Sequence, residues 1–136
     1  MRSIRGILSR LLAFSLAFAC GSAAAEWTAV GRGDYIHTPY ADTAGIRRSG
    51  NLVRMSGMYD FVRQDFTPEG KGLFSSVVLR EYDCDQRRVR LLSAIDFSGH
   101  MGAGEAVSTS AGPGRWESIV VGGVDEAYWK TACGAK

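Results

Sequence analysis

Residues 51–61 read NLVRMSGMYDF, and their apolar side chains recur at every second position. Alternation with a period of two is typical of a β-strand that buries one face and exposes the other. One face carries Val53, Met55, Tyr59 and Phe61, and the other carries Arg54, Ser56 and Asp60. The segment therefore predicts a strand whose apolar face lies against a core.

Two later segments predict further strands. Residues 88–97 (RVRLLSAIDF) alternate in the same way. The residues expected on the buried face there are Val89, Leu91, Ile95 and Phe97. Residues 73–82 (LFSSVVLREY) are rich in β-formers with weaker alternation, which is typical of a central strand. The polar residues 83–86 between them predict a hairpin turn. Shorter strands are expected at 26–30, 34–40 and 102–109, and a surface loop at 63–72.

The C-terminal segment changes to a helical period. In residues 124–133 (VDEAYWKTAC), Val124, Tyr128 and Ala132 recur every four positions. Two acids stand in the first turn, where the helix dipole favours them, and a glycine follows the last turn. The predicted fold class is α+β: an antiparallel sheet of about six strands with one C-terminal helix packed on it.

The N-terminus has the organisation of an export signal. A basic segment (1–10) precedes a short apolar run (11–19), and the small residues GSAAA follow before Glu26. This order predicts a cleaved signal peptide over residues 1–25 and a single domain over residues 26–136. The protein is then exported, to the periplasm or to the outer cell surface. The alternative is a lipid anchor on Cys20, which would tether the chain to a membrane.

The charge of the chain argues against nucleic acid as a partner. Three of the 16 basic residues lie in the first ten positions, and no acid precedes Glu26. From Glu26 onward, 13 basic residues face 14 acidic ones. A domain so close to neutrality lacks the broad positive field that non-specific nucleic-acid binding requires.

Cleavage after Ala25 leaves two cysteines, Cys84 and Cys133. An exported chain meets an oxidising compartment, in which such a pair is expected to form a disulfide. The bond would link the tip of the predicted hairpin to the C-terminal helix. A reactive thiol beside His100 is the alternative, but the chain has no Cys-x-x-Cys spacing to favour it.

Several segments together resemble one family. Residues 40–51 (YADTAGIRRSGN), 81–84 (EYDC) and 98–104 (SGHMGAG), with Arg88-x-Arg90, are similar to the central motifs of the surface-adhesin protein E family. Trp116, Trp129-Lys130 and residues 132–134 (ACG) are similar to its C-terminal signature.

The resemblance implies a six-stranded antiparallel sheet, a C-terminal helix, a Cys84–Cys133 bridge and an exported location. Founding members of the family bind host matrix and serum proteins such as vitronectin and laminin. The expected function is therefore a non-enzymatic binding module, a surface adhesin. A periplasmic structural or envelope-associated protein without a host ligand is the alternative.

Two groups of residues are candidates for partner binding. Arg87, Arg88 and Arg90 follow the predicted hairpin turn and could attract heparin-like glycans or acidic segments of matrix proteins. Arg32-Gly33-Asp34 spells an integrin-recognition tripeptide at a predicted turn, where the alternative is an ordinary turn.

The sequence offers no catalytic, cofactor or metal site. Its two histidines, His37 and His100, are too few for a convergent ligand set, and no nucleophile-elbow motif is present. The glycine-rich residues 98–104 lack the Lys-Ser/Thr ending of a phosphate-binding loop. We therefore expect no enzyme activity. An unpaired edge strand would offer a route to a homodimer by sheet extension, unless that edge is shielded.

Overall fold

The computed structural model describes residues 25–134. It contains eight strands, one short 3₁₀ turn (His100–Gly102) and one α-helix. The strands are β1 (Trp27–Ala29), β2 (His37–Asp42), β3 (Arg47–Ser49), β4 (Leu52–Phe66), β5 (Gly72–Asp83), β6 (Arg88–Phe97), β7 (Ala106–Ala111) and β8 (Glu117–Ser118), and the helix is α1 (Val124–Gly134). The predicted signal peptide, apart from its last residue, and Cys20 lie outside the described residues.

All strands form one antiparallel sheet, in the order β1-β2-β4-β5-β6-β7. Two of the three shortest strands lie beside this order: β3 pairs with the start of β4, and β8 pairs with the start of β6. The described sheet is thus six strands wide, as predicted, although it contains eight strands. Strand β7 is the edge strand on one side of the sheet. Dimerisation through such an edge stays a prediction.

The longest strand extends beyond its predicted end. β4 continues to Phe66, whereas the sequence predicted a loop from residue 63. The chain turns over residues 67–71, where Thr67 and Lys71 form a backbone hydrogen bond of 2.8 Å. Gly70 in this turn has a φ of +82°, a conformation that costs glycine little. The overhanging ends of β4 and β5 leave Phe66 59% exposed.

The helix packs on the face of β4 that the alternation predicts to be apolar. Val53 and Met55 are fully buried there, together with Tyr128 and Ala132 of α1. Gly57 makes room for the Tyr128 ring, because a Cβ at this position would lie 3.0 Å from Tyr128 Cε1. The Tyr128 hydroxyl lies 2.9 Å from the backbone oxygen of Tyr40 in β2 and so joins the helix to the sheet.

The disulfide fastens the other end of the helix. Cys84, directly after β5, is bonded to Cys133, with a Cα–Cα distance of 5.6 Å. The Trp129 indole Nε1–H donates to the backbone oxygen of Asp83 at 3.1 Å. The sequence prediction of a bridge between hairpin tip and helix is confirmed.

The predicted face of β6 is wrong for its second half. The pairing of β5 with β6 shifts at a β-bulge, where Leu79 lies opposite Ser93 and Arg80 opposite Leu91. The extra residue reverses the alternation, because two residues of one strand then face one of the other. Ile95 therefore lies on the sheet face opposite to that of Leu91, and Phe97 lies on the same side as Ile95.

A loop covers part of the face opposite to the helix. The buried Ser75 hydroxyl donates to the Gly99 carbonyl oxygen at 2.6 Å and accepts from Gly102 N–H at 2.9 Å. The Asp60 carboxylate accepts from Met101 N–H at 2.7 Å. Strand β7 begins only at Ala106, later than predicted, because residues 98–105 form this cover. No helix within residues 25–134 is long and apolar enough to cross a membrane.

Candidate functional site

Three arginines and one tryptophan form a polar surface on the sheet face opposite to the helix, which we call the arginine face: Arg54, Arg88, Arg90 and Trp116. Arg88 and Arg90 alternate along β6 and so point to the same side. Because β8 pairs with the start of β6, the residue preceding β8 is placed beside them. The guanidinium carbons of Arg88 and Arg90 lie 4.6 Å and 4.5 Å from the centre of the Trp116 ring.

A buried carboxylate holds two of these arginines in position. Glu81 lies opposite both Arg54 and Arg90 in the strand pairing, and its side chain is only 5% exposed. Its Oε1 lies 2.6 Å from Arg90 Nη2, and its Oε2 lies 3.0 Å from Arg54 Nε. Burial opposes ionisation of Glu81, but the hydrogen bonds from the two arginines outweigh it and lower the pKa below its ordinary 4.5.

A second buried carboxylate orients Arg88 at the hairpin turn. Asp83 Oδ1 accepts from the N–H groups of Asp85 and Gln86 at 3.1 Å and 3.0 Å and from the Asn51 amide at 3.0 Å, while its Oδ2 accepts from Arg88 Nε at 3.0 Å. The backbone bond from Gln86 contributes most to lowering the pKa of Asp83. Arg88 is therefore fixed without being buried.

The arginine face offers unused hydrogen-bond donors to solvent. The side chains of Arg54 and Arg88 are 58% and 40% exposed. Each is held by its Nε, and within residues 25–134 neither makes a hydrogen bond through its Nη groups. A groove of about 490 Å³ beside Arg54 and Arg90 continues the surface towards Arg47 and Leu52. Guanidinium forks beside an aromatic ring suit carboxylate or sulfate groups on a larger partner.

Arg87, the third arginine predicted with Arg88 and Arg90, lies apart from them. It occupies the turn with a φ of +48°, and its side chain reaches the helix. Its Nη2 lies 2.9 Å from Glu126 Oε2, and its guanidinium carbon lies 4.7 Å from the centre of the Trp129 ring. The structure thus brings two of the three predicted arginines together. Trp116 and Arg54 were missed because their position depends on the pairing of β8 with β6 and of β4 with β5.

The tripeptide Arg32-Gly33-Asp34 lies exposed in the loop between β1 and β2. The Asp34 carboxylate bonds within this loop: Oδ1 accepts from Ile36 N–H at 2.7 Å and His37 N–H at 2.8 Å. These backbone bonds, led by the one from His37, lower the pKa of Asp34. The carboxylate thus stabilises its own turn, and integrin recognition by the tripeptide stays a prediction.

The two histidines lie apart, His37 at the start of β2 and His100 in the 3₁₀ turn. His37 Nδ1 lies 3.0 Å from Asp34 Oδ1, whereas His100 Nδ1 lies 3.2 Å from Asp60 Oδ2. Among residues 25–134, no three histidine, cysteine, aspartate or glutamate side chains are grouped so that they could hold a metal ion.

Comparison with known families covers nearly all of the described chain. The model of the family described as Surface-adhesin protein E matches residues 27–134. The chain belongs to the surface-adhesin protein E family. The resemblance found in the motifs of the sequence is thereby confirmed.

Solved structures of Haemophilus influenzae protein E share the fold. Crystal form II of Haemophilus influenzae protein E is 12% identical, with a TM-score of 0.62 over 79% of this chain and 87% of that one. Protein E from non-typeable Haemophilus influenzae is 11% identical, with a TM-score of 0.58 over 84% of this chain and 79% of that one. Comparison with the curated proteins gives no match.

Proposed function

We propose that the protein is an exported, non-enzymatic adhesin that binds host matrix or serum proteins through the arginine face. Vitronectin and laminin are the candidate partners. The observation that carries the proposal is the Trp116 ring flanked by the guanidinium groups of Arg88 and Arg90, beside the outward Nη groups of Arg54. Membership of a surface-adhesin family supports the same function.

The chemistry of the arginine face favours an acidic partner. Glu81 and Asp83 are almost fully buried under it, so the arginine side chains, not the carboxylates, reach the solvent. An exposed arginine donates two parallel hydrogen bonds to a carboxylate or sulfate, and an aromatic ring adds contact area at low entropic cost. Acidic segments or sulfated glycans of a matrix protein have this complementary chemistry. Their binding should weaken with added salt because the contacts are exposed to solvent.

The test is binding of vitronectin and laminin to the immobilised protein before and after R54Q together with R88Q. This pair removes two exposed charges but leaves Glu81 its bond to Arg90, and leaves Asp83 its bonds to Asn51 and the turn. We expect about a tenfold loss of affinity or more, since arginine is enriched among the interface residues whose removal costs more than about 1 kcal/mol.

The matched control is R63Q together with K71Q, which removes two exposed charges near the overhanging ends of β4 and β5. Its binding should equal that of the wild type. If both double variants bind equally well, the arginine face is not the binding surface. Failure of the wild type to bind either protein, together with resistance to protease treatment of intact cells, would instead support the periplasmic structural alternative.

A further inference from the structure

A row of charged side chains crosses the sheet from β3 to β6 on the side of the arginine face. Arg47 lies opposite Arg54 in the pairing of β3 with β4, and Glu81 lies opposite both Arg54 and Arg90. Residues directly opposite each other in antiparallel strands point to the same side of the sheet. We call these four residues the arginine row. Neighbouring strands lie about 4.8 Å apart, and the row crosses three such spacings, roughly 14 Å.

Positive charge is in excess along the arginine row. Its one carboxylate, Glu81, is bonded to Arg54 and Arg90. Arg47 forms no ion pair within residues 25–134, and its Nη1 donates to the Ile46 carbonyl oxygen at 3.0 Å. Like charges directly opposite each other in a sheet are destabilising, so the pairing of Arg47 with Arg54 costs stability. A local arrangement that lowers stability is expected at a functional site.

The arginine row borders a groove that is polar and already formed. Glu81 fixes Arg54 and Arg90 from below, while the Arg54 side chain is 58% exposed and Arg47 lies exposed beside it. Donors that are fixed before binding lose less freedom when a ligand arrives. Among the described residues that line this groove of about 490 Å³, Leu52 alone is apolar. A ligand in the groove is therefore bound through its charged groups and not through apolar anchors.

The floor of the groove offers no backbone to a peptide. At the arginine row, β4 lies between β3 and β5, and β5 lies between β4 and β6. An extended peptide gains affinity by adding a strand to an exposed edge, which β4 and β5 do not provide here. An acidic peptide would thus contact the row through flexible side chains alone. A sulfated glycan carries its anions directly on the rings of a stiff chain and loses less freedom on binding.

On the basis of the adhesin function proposed above, we infer that the ligand class of this surface is a sulfated glycan, whose chain lies across strands β3 to β6. Its sulfate groups accept parallel hydrogen bonds from the guanidinium groups of Arg47, Arg54 and Arg90. Arg88, beside Arg90 on the Trp116 ring, extends the same surface by one further cation. Arg47 thereby joins the binding surface.

The test is calorimetric titration of the protein with a heparin dodecasaccharide between about 50 and 200 mM salt, the range over which contacts with a polyanion weaken steeply. At about 0.7 released ions per contact, four arginines give a slope of log K against log salt of about −3. A heparin disaccharide reaches fewer arginines and should bind at least about tenfold more weakly. Desulfated heparin should not bind. Polyglutamate of equal net charge represents the acidic peptide and should bind more weakly than heparin.

Variants of Arg47 separate a binding role from a structural one. R47Q should weaken heparin binding about threefold or more and make the salt slope shallower by about 1. It should not lower the urea midpoint, because it removes a like-charge pair. R47K keeps the charge and should keep the wild-type slope. The control is R63Q, which removes an exposed arginine outside the groove and should leave both affinity and slope unchanged.

Polyglutamate binding as tight as heparin, or an unchanged slope in R47Q, would overturn the glycan assignment. In that case a loss of vitronectin or laminin binding in R54Q together with R88Q would still support the adhesin function. If the wild type binds neither heparin nor the two matrix proteins, both proposals fail.

Discussion

Removal of the Cys84–Cys133 bond should cost a large part of the stability of the domain. The bond closes a loop with a sequence separation of 49 residues. In the chain-entropy relation, a loop of that length restricts the unfolded chain by about 14 cal/mol/K, or about 4 kcal/mol at 25 °C. Small domains have total stabilities of about 5–15 kcal/mol. The variant C84S/C133S should therefore fold but unfold far more readily.

The helix should nevertheless stay docked in the native state of this variant. Tyr128 keeps its contact with the Tyr40 carbonyl oxygen, and Trp129 keeps its bond to the Asp83 carbonyl oxygen. The loss of stability thus arises mainly because the unfolded chain gains freedom. Near-ultraviolet circular dichroism of the variant should resemble that of the wild type at low denaturant.

Urea unfolding followed by tryptophan fluorescence measures the effect. Small proteins lose about 1–3 kcal/mol of stability per molar urea, so the midpoint should fall by about 2 M. The wild type treated with reductant is the control for the substitutions themselves and should behave like the variant. Midpoints of oxidised and bond-free protein that agree within about 0.5 M would refute the reasoning.

Three further predictions concern packing and charge. Gly57→Ala should lower the free energy of unfolding by about 1–3 kcal/mol, because its Cβ would press on the Tyr128 ring, and urea unfolding measures the loss. The pKa of Glu81 is lower in the folded protein than its ordinary 4.5, so the ionised carboxylate stabilises the fold at pH values above 4.5. This contribution disappears as the pH falls through the pKa of Glu81 in the folded protein. Urea midpoints between pH 7 and pH 3 should fall less steeply in Glu81→Gln than in the wild type; an equal slope would show that Glu81 is not part of the acid response. Arg87→Ala should reduce stability by about 0.5–1 kcal/mol through its lost contacts with Trp129 and Glu126, yet leave matrix-protein binding unchanged in the same surface assay.

The main strands and the helix could be predicted because burial of one face makes apolar residues recur at a regular spacing along the sequence. Alternation in residues 51–61 identified the strand that supports the helix, and the four-residue repeat of Val124, Tyr128 and Ala132 identified the helix itself. The bulge between Leu79 and Arg80 could not be read from the alternation, because it depends on how two strands pair. It moves Ile95 to the face opposite to that predicted.

The candidate site could be predicted only in part, because it too depends on how the strands pair. Arg88 and Arg90 share a face through spacing along one strand, which the sequence shows. Trp116 joins them through the short strand β8, whose two residues carry no periodic signal. Arg87 follows the same run of sequence but takes a positive φ in the turn and points to the helix. Local spacing therefore predicts neighbours along a strand, whereas neighbours across strands depend on the register.

The most direct test of the proposed binding surface uses the three tryptophans of the chain, Trp27, Trp116 and Trp129. Each indole N–H gives its own signal in a ¹⁵N correlation spectrum, and Trp116 alone belongs to the arginine face. On addition of vitronectin or laminin, the account predicts that the Trp116 signal shifts or broadens first while those of Trp27 and Trp129 stay in place. A response of Trp27 or Trp129 with Trp116 unchanged would contradict it.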